Sequence, residues 1–177
     1  FMATQFNKDD IKLVDNYVYT LVGDGCMMEG ISSEAASLAG TLKLDKLIVL
    51  YDSNNITIEG ETDIAFTEDV RKRFDAYGWQ TLLVEDGNDI DAIDEAIKKA
   101  KSNQTQPTLI EIKTQIGYGS PAKQGKASAH GEPLGVDNLA ESRKFLEHHN
   151  EEFHVCEDVR AQMDKIINEG IEKEEKW

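Results

Sequence analysis

The 177-residue chain has little cysteine, little positive charge and no long apolar run, and each shortage removes a class of answers. Cys26 and Cys156 lie far apart and form no Cys-x-x-Cys pair, which excludes a disulfide framework and a zinc finger and reads as two free thiols. No stretch approaches the roughly 20 consecutive apolar residues of a membrane-spanning helix, and no basic segment leads into an apolar core as a signal peptide would. The reading is a cytosolic protein with no membrane partner. Basic residues number 19 against 34 acidic ones, a formal net charge of −15. Such a surface repels nucleic-acid phosphates, so no nucleic-acid partner is expected. The same balance limits how a diphosphate could be held: a metal ion or backbone N–H groups must do what spare cations cannot. Nucleotide loops also drop out, because Gly-Lys-Ser/Thr is absent and Gly23-Asp24-Gly25-Cys26-Met27-Met28 lacks the third glycine of the dinucleotide fingerprint.

What is present is an alternation of strand and helix signals. Tyr17–Val22 is a β-branched and aromatic run that stops at Gly23-Asp24-Gly25, as a buried strand ending in a tight loop would. Met28–Leu42 is rich in Ala, Ser, Leu and Glu and free of proline, so it predicts a helix. Lys46–Tyr51 is a short apolar run of the kind found in parallel strands covered on both faces. Asp69–Tyr77 predicts a helix stopped by Gly78, Gln80–Val84 a strand, and Ile90, Ile93, Ile97 and Ala100 recur at helical spacing. Thr108–Lys113 is the fourth strand. After it come a glycine-rich loop over residues 115–135, exposed helices over Val136–Glu147 and Glu157–Glu172, and a charge run, Glu172–Lys176, that reads as a solvated tail. The pattern is α/β: a mostly parallel sheet with helices on both faces, in a main domain over residues 1–150, with 151–177 a helical extension or the start of a linker.

Ligands of such sheets bind at the carboxyl ends of the strands, which draws attention to two positions. Asp24 sits between glycines that let the backbone approach a bound group, and Asp52-Ser53-Asn54-Asn55 follows the next strand, with Asn54 thirty positions after Asp24. One strand–helix–strand unit separates them, so both sets of oxygens reach one edge. A carboxylate, an amide oxygen and a backbone carbonyl leave octahedral positions for two phosphate oxygens and a water, which suits magnesium. Each half alone is an ordinary turn or loop; the spacing joins them.

Gly-Asp-Gly followed after about thirty residues by Asn resembles the thiamine-diphosphate motif. GDGCMMEGISSEAASLAGTLKLDKLIVLYDSNNITIEG, with KTQIGYGS and AHGEPLG further on, resembles the transketolase family over most of residues 1–150. Pyruvate-dehydrogenase-type and deoxyxylulose-phosphate-synthase-type relatives share the Asp and Asn but not the SSEAASLAG helix. The resemblance implies a thiamine-diphosphate-binding fold, with thiamine diphosphate and magnesium (or calcium) as cofactors and sugar phosphates as substrates. It also implies a homodimer of the pentose phosphate pathway that transfers a two-carbon ketol unit from a ketose phosphate to an aldose phosphate.

Residue by residue, the resemblance assigns the metal ligands to Asp24, the Asn54 side chain and the Ile56 carbonyl. Asn55 competes with Asn54 by sequence alone. Gly23 and Gly25 flank the diphosphate; Ile58 and Ile116 match apolar positions near the cofactor, with a core role as the alternative. His130 matches a histidine near diphosphate and substrate and is the catalytic candidate. Glu29 and Glu34 match interface glutamates, against the simpler reading of a charge at a helix N-terminus and an exposed side chain. Ser33, Ala36, Ser37 and Gly40 would permit close helix crossing at that interface. Lys126-Ala127-Ser128 stands where some members of the family carry another histidine. The cluster His148, His149, His154 and Cys156 has no regular zinc spacing. Rivals are a dihydroxyacetone synthase, a two-chain relative, or a non-catalytic α/β module. Phe1-Met2-Ala3-Thr4-Gln5-Phe6 reads as the last turns of a helix, and the resemblance implies that further active-site segments lie outside these residues, so that the chain alone is inactive.

Overall fold

The computed structural model describes residues 2–10, 12–148 and 151–176. A short helix α1 (Met2–Phe6) precedes a four-stranded parallel sheet of β1 (Val18–Gly23), β2 (Leu47–Ser53), β3 (Gln80–Val84) and β4 (Thr108–Lys113), ordered β1-β2-β4-β3. Parallel neighbours need crossovers. These are α2 (Asp24–Met28) and α3 (Gly30–Thr41) between β1 and β2, α4 (Val70–Ala76) before β3, and α5 (Ile90–Ser102) before β4.

Side chains alternate across a strand, and here both sets are apolar. Val49, Tyr51 and Leu109 face α2, α3 and α4 through Met27, Ala36, Ala39, Val70, Phe74 and Trp79, with Phe74 and Trp79 edge-to-face at 5.0 Å. Ile48, Ile110 and Ile112 face α5 through Ala92, Ile93, Ala96, Ile97 and Ala100. The helices therefore cover both faces, as the alternation requires. α5 is bounded as its sequence suggests: the Asp89 carboxylate accepts from Ala92 N at 2.9 Å, and Lys99 and Lys101 occupy the last turn. The register aligns Gly23 with Asp52 and Ser53 with Lys113, so the carboxyl ends of β1, β2 and β4 form one edge.

Several local readings need correction. β1 is an edge strand, not a buried one: Leu21 is 76% exposed, and Val18 and Tyr19 are about half exposed. Its apolar composition comes from a face that nothing among the described residues covers. No tight loop follows it; the chain passes directly from β1 into α2, with Gly23 in ordinary extended backbone. The expected single helix over Met28–Leu42 is divided, because Glu29 adopts extended angles between α2 and α3.

The 115–135 segment folds back on itself and includes a short helix α6 (Ser128–Gly131), followed by α7 (Val136–Phe145). A side chain on Gly117 would lie 2.9 Å from Ala129 Cβ, so glycine permits that return. The last helix, α8 (Glu157–Lys176), continues through the charge run read as a tail, and none of its residues is buried. His149 of the histidine cluster lies outside the described residues.

Candidate functional site

Asp24 opens α2 at the edge where β1 and β2 end, and only 3% of its surface is exposed. Its Oδ1 accepts a hydrogen bond from the Tyr51 hydroxyl at 2.5 Å, and its Oδ2 accepts from the backbone N–H groups of Asn54 at 3.0 Å and Asn55 at 2.9 Å. Among the described residues no ion pair involves Asp24. A buried carboxylate without a counter-charge is costly, and three neutral donors only partly offset that cost. A divalent cation would supply the missing charge, and the donor set fits one. Burial pushes the Tyr51 hydroxyl well above the ordinary tyrosine range, with the Asp24 hydrogen bond adding to the effect, so at neutral pH it remains a donor.

The β2 end supplies the second group. The Asn54 amide is held at both ends: Nδ2 donates to Asp52 Oδ1 at 3.2 Å, and Oδ1 accepts from Ile56 N at 3.0 Å. Thr114, just beyond β4, also donates to Asp52 Oδ1. Asn55 takes a left-handed backbone conformation with φ 62° and is exposed, lining the cavity beside Asp24, whereas Asn54 is half-buried. Ile56 pairs with Glu61 in a narrow antiparallel bridge closed by Thr57 N to Gly60 O and Thr62 N to Asn55 O, neither of which uses the Ile56 carbonyl. Asp24, Asn54 and Ile56 are thus linked through successive hydrogen bonds. Beside them, a Cβ added at Gly23 or Gly25 would meet nothing within 4 Å, which leaves open space where a diphosphate could lie.

The remaining candidates lie at varied distances from this pair. Ile58 tips the turn after Ile56 and is 70% exposed, which rules out a core role within the described chain. Ile116 follows β4 and is half-buried; its carbonyl accepts from Gly125 N at 2.8 Å. That bond, with the Gly117–Ala129 contact, brings α6 and the exposed His130 back toward the strand ends. No hydrogen bond or ion pair joins His130 or Ile58 to Asp24 or Asn54 among the described residues. Glu29 and Glu34 are both exposed. Of the small residues read as interface contacts, Ala36 and Gly40 are buried inside the chain: Trp79 Nε1 donates to the Ala36 carbonyl, and a Cβ on Gly40 would sit 1.9 Å from the Tyr77 carbonyl oxygen. Their smallness serves the internal core.

Three side chains absent from the sequence reading shape the site. Tyr51 orients Asp24. Glu111, a charge within the apolar TLIEIK strand, accepts from Arg71 Nε at 2.8 Å, Lys113 Nζ at 2.5 Å and Ser53 Oγ at 3.1 Å. Together with Asp24 and Tyr51 these groups line a cavity of about 430 Å³. A carboxylate in a buried strand must be paired, and that signal was readable. Lys123 is the third: its Nζ donates to Ser128 O at 3.1 Å, Glu132 Oε2 at 3.0 Å and Pro133 O at 2.9 Å, which pins the turn around His130 from both sides.

Comparison with known proteins agrees with this fold. The family model described as transketolase, thiamine diphosphate binding domain, matches residues 1–177. The chain is 49% identical over 177 residues to a transketolase from Halalkalibacterium halodurans and 51% identical over 177 residues to one from Nostoc sp., in each case covering 99% of this chain and 26% of the relative. Among solved structures, transketolase from Leishmania mexicana superposes with a TM-score of 0.91 at 39% identity, over 99% of this chain and 26% of that one. A Pichia stipitis transketolase in complex with sedoheptulose 7-phosphate gives 0.91 at 43%, with the same coverage. The chain therefore spans about a quarter of the length of the relatives it matches.

Proposed function

The chain belongs to the transketolase family, as its thiamine-diphosphate-binding domain, and from that premise we propose that it holds the diphosphate of the cofactor through a magnesium or calcium ion on Asp24, the Asn54 side chain and the Ile56 carbonyl. The observation that carries this reading is the buried, uncompensated Asp24 carboxylate, hydrogen-bonded to the backbone at Asn54 and flanked by Gly23 and Gly25, beside which a Cβ would meet nothing. Thiamine diphosphate, when bound, supplies the electron sink for breaking and remaking a carbon–carbon bond beside a ketone. The chain supplies placement. Ile58 and Ile116 offer apolar contact to the cofactor, and His130, carried on the returning loop, donates a hydrogen bond to the diphosphate or to a developing alkoxide on the substrate.

In its native length the protein transfers a two-carbon ketol unit from a ketose phosphate to an aldose phosphate. The Pichia stipitis complex with sedoheptulose 7-phosphate supports sugar phosphates as the substrate class. We place 1–150 in the cofactor domain and 151–177 in the extension that follows it. A homodimer is supported by the exposed stripe of Ile31 and Leu38 on α3 and Leu42 just after it, on the helix that carries Glu34. The test is a ketol-transfer assay with xylulose 5-phosphate as donor, comparing ribose 5-phosphate with formaldehyde as acceptor. Preference for ribose 5-phosphate, lost when thiamine diphosphate or the divalent ion is withheld, is the expected result. Preference for formaldehyde would instead make the protein a dihydroxyacetone synthase.

A further inference from the structure

The Asn54 side chain is tied at its two ends to partners of opposite kind. A backbone N–H only donates and an ionised carboxylate only accepts, so Ile56 N on Oδ1 at 3.0 Å and Asp52 Oδ1 on Nδ2 at 3.2 Å admit one orientation of the amide. The amide oxygen has two lone pairs, and the Ile56 bond leaves one of them for a further partner. The two bonds differ in what they hold. Ile56 lies two residues on in the same loop, so its bond selects which end is oxygen but moves with the loop. Asp52 lies within β2, where it is in register with Gly23 of β1 on one side and Ile112 of β4 on the other. Thr114, just past β4, donates its hydroxyl to the same Asp52 Oδ1, and its N–H continues the ladder to Ser53 O at 3.2 Å. The amide is thereby braced against two strand ends.

We propose that Asp52, braced by Thr114, is a positioning residue that fixes the Asn54 amide oxygen in place as a metal ligand; the inference rests on the metal reading given above. The backbone at Asn54 is already held by its N–H on Asp24 Oδ2. What that bond leaves free is rotation about the two torsions of the side chain, and a single hydrogen bond at the oxygen lets the amide swivel about that contact. The Asp52 bond at the other end removes the swivel, so the oxygen needs no ordering when an ion arrives. Both bonds to Asp52 end on Oδ1, and Asp52→Asn can reproduce them with its amide oxygen. Position and charge can therefore be told apart. Removing an outer-shell partner of a metal ligand typically lowers affinity by roughly 10–100-fold.

The test uses the protein in its native length, with magnesium titrated by calorimetry in saturating thiamine diphosphate, alongside metal-free thermal unfolding. Asp52→Ala is expected to weaken magnesium about tenfold or more, while Asp52→Asn stays within about threefold of wild type. Equal losses in the two variants would make Asp52 a source of charge and not of position, and no loss in Asp52→Ala would mean that Asn54 is fixed without it; either result overturns the proposal. Thr114→Val should weaken magnesium and Thr114→Ser should not. Combining Thr114→Val with Asp52→Ala should weaken binding no further than Asp52→Ala alone, because the brace acts through the carboxylate; losses that multiply would overturn it. If Asp52→Ala unfolds, the Thr114 pair decides: a loss in Thr114→Val that Thr114→Ser avoids supports the proposal, and no loss overturns it. Asn54→Ala separates the two readings. Magnesium binding left intact in Asn54→Ala removes Asn54 from the site and this inference with it, whereas binding lost there but unchanged in Asp52→Ala sinks this inference alone.

Discussion

Trp79 donates its indole N–H to the backbone carbonyl of Ala36 at 2.8 Å, joining residues 43 positions apart and drawing α3 onto the end of α4. The same approach places Gly40 against the Tyr77 carbonyl, with no room for a methyl group. A close crossing within the chain explains why small residues recur along one side of α3.

Gly40→Ala follows directly from that contact. The added carbon would lie 1.9 Å from a backbone oxygen that cannot rotate away, so the helix or the turn at Tyr77 must shift. Overpacking of this sort costs typically 1–3 kcal/mol, and chemical denaturation should show a loss of at least about 2 kcal/mol despite alanine's better helix propensity. Ser37→Ala, at an exposed position on the same helix, should change stability by less than about 0.5 kcal/mol.

The opposite side of α3 bears on association. Leu38 is 57% exposed and lies in the stripe with Ile31 and Leu42 at helical spacing. On the proposed homodimer reading, Leu38→Arg should shift the protein to monomer in sedimentation without unfolding it. A dimer that survives the substitution would move the interface elsewhere.

Lys123 gives the His130 loop its only inward cation among the described residues 120–135, since Lys126 Nζ reaches just the Ala122 carbonyl of its own turn. Lys123→Met removes three hydrogen bonds around the histidine while retaining its aliphatic bulk. Turnover should fall roughly 10- to 100-fold, as misplacement of a catalytic group by about 1 Å does, while affinity for thiamine diphosphate stays within about threefold. His130→Ala should show the same division. Equal losses in cofactor affinity and turnover would make the loop a diphosphate clamp.

Alkaline pH probes Tyr51. Because its folded hydroxyl is raised above the ordinary value of 10.0 by burial and by Asp24, the folded state keeps a proton that the unfolded chain releases. That contribution is complete below pH 10.0 and is lost as pH rises toward the folded value. The stability difference between wild type and Tyr51→Phe should therefore hold steady up to about pH 10 and shrink by about 1.4 kcal/mol per pH unit beyond it. Denaturant midpoints at pH 8, 10 and 11 suffice. A constant difference would mean that neither burial nor Asp24 raises the hydroxyl in the folded state.

The sheet was legible because its signals are local. Gln80–Val84 and Thr108–Lys113 occupy the read boundaries without change, and Asp69 and Asp89 cap the helices they precede. Asp24 and Asn54 were legible as a pair because a strand–helix–strand unit has a nearly fixed length. Their supporting groups were not. Tyr51 looks like any core aromatic until α2 is folded against β2, and Lys123 contacts residues whose position depends on the return of the whole loop. The exposure of β1 was misread for a related reason: apolar composition reports that a face is to be covered, and not which residues cover it. Glu111 is the exception, a charge in an apolar strand that announces its own need for a partner.

The central claim is that Asp24 holds the metal through which the cofactor's diphosphate is bound, and one titration tests it most directly. Thiamine diphosphate is titrated by calorimetry into wild type and Asp24→Ala protein of native length, with and without magnesium, after circular dichroism has shown that both are folded. Wild type should bind the cofactor tightly only with magnesium. Asp24→Ala should lose at least about 100-fold in affinity, since a direct ligand outweighs the outer-shell partners whose removal costs roughly 10–100-fold, and its residual binding should no longer respond to magnesium. Magnesium-dependent affinity retained in the folded variant would contradict the account.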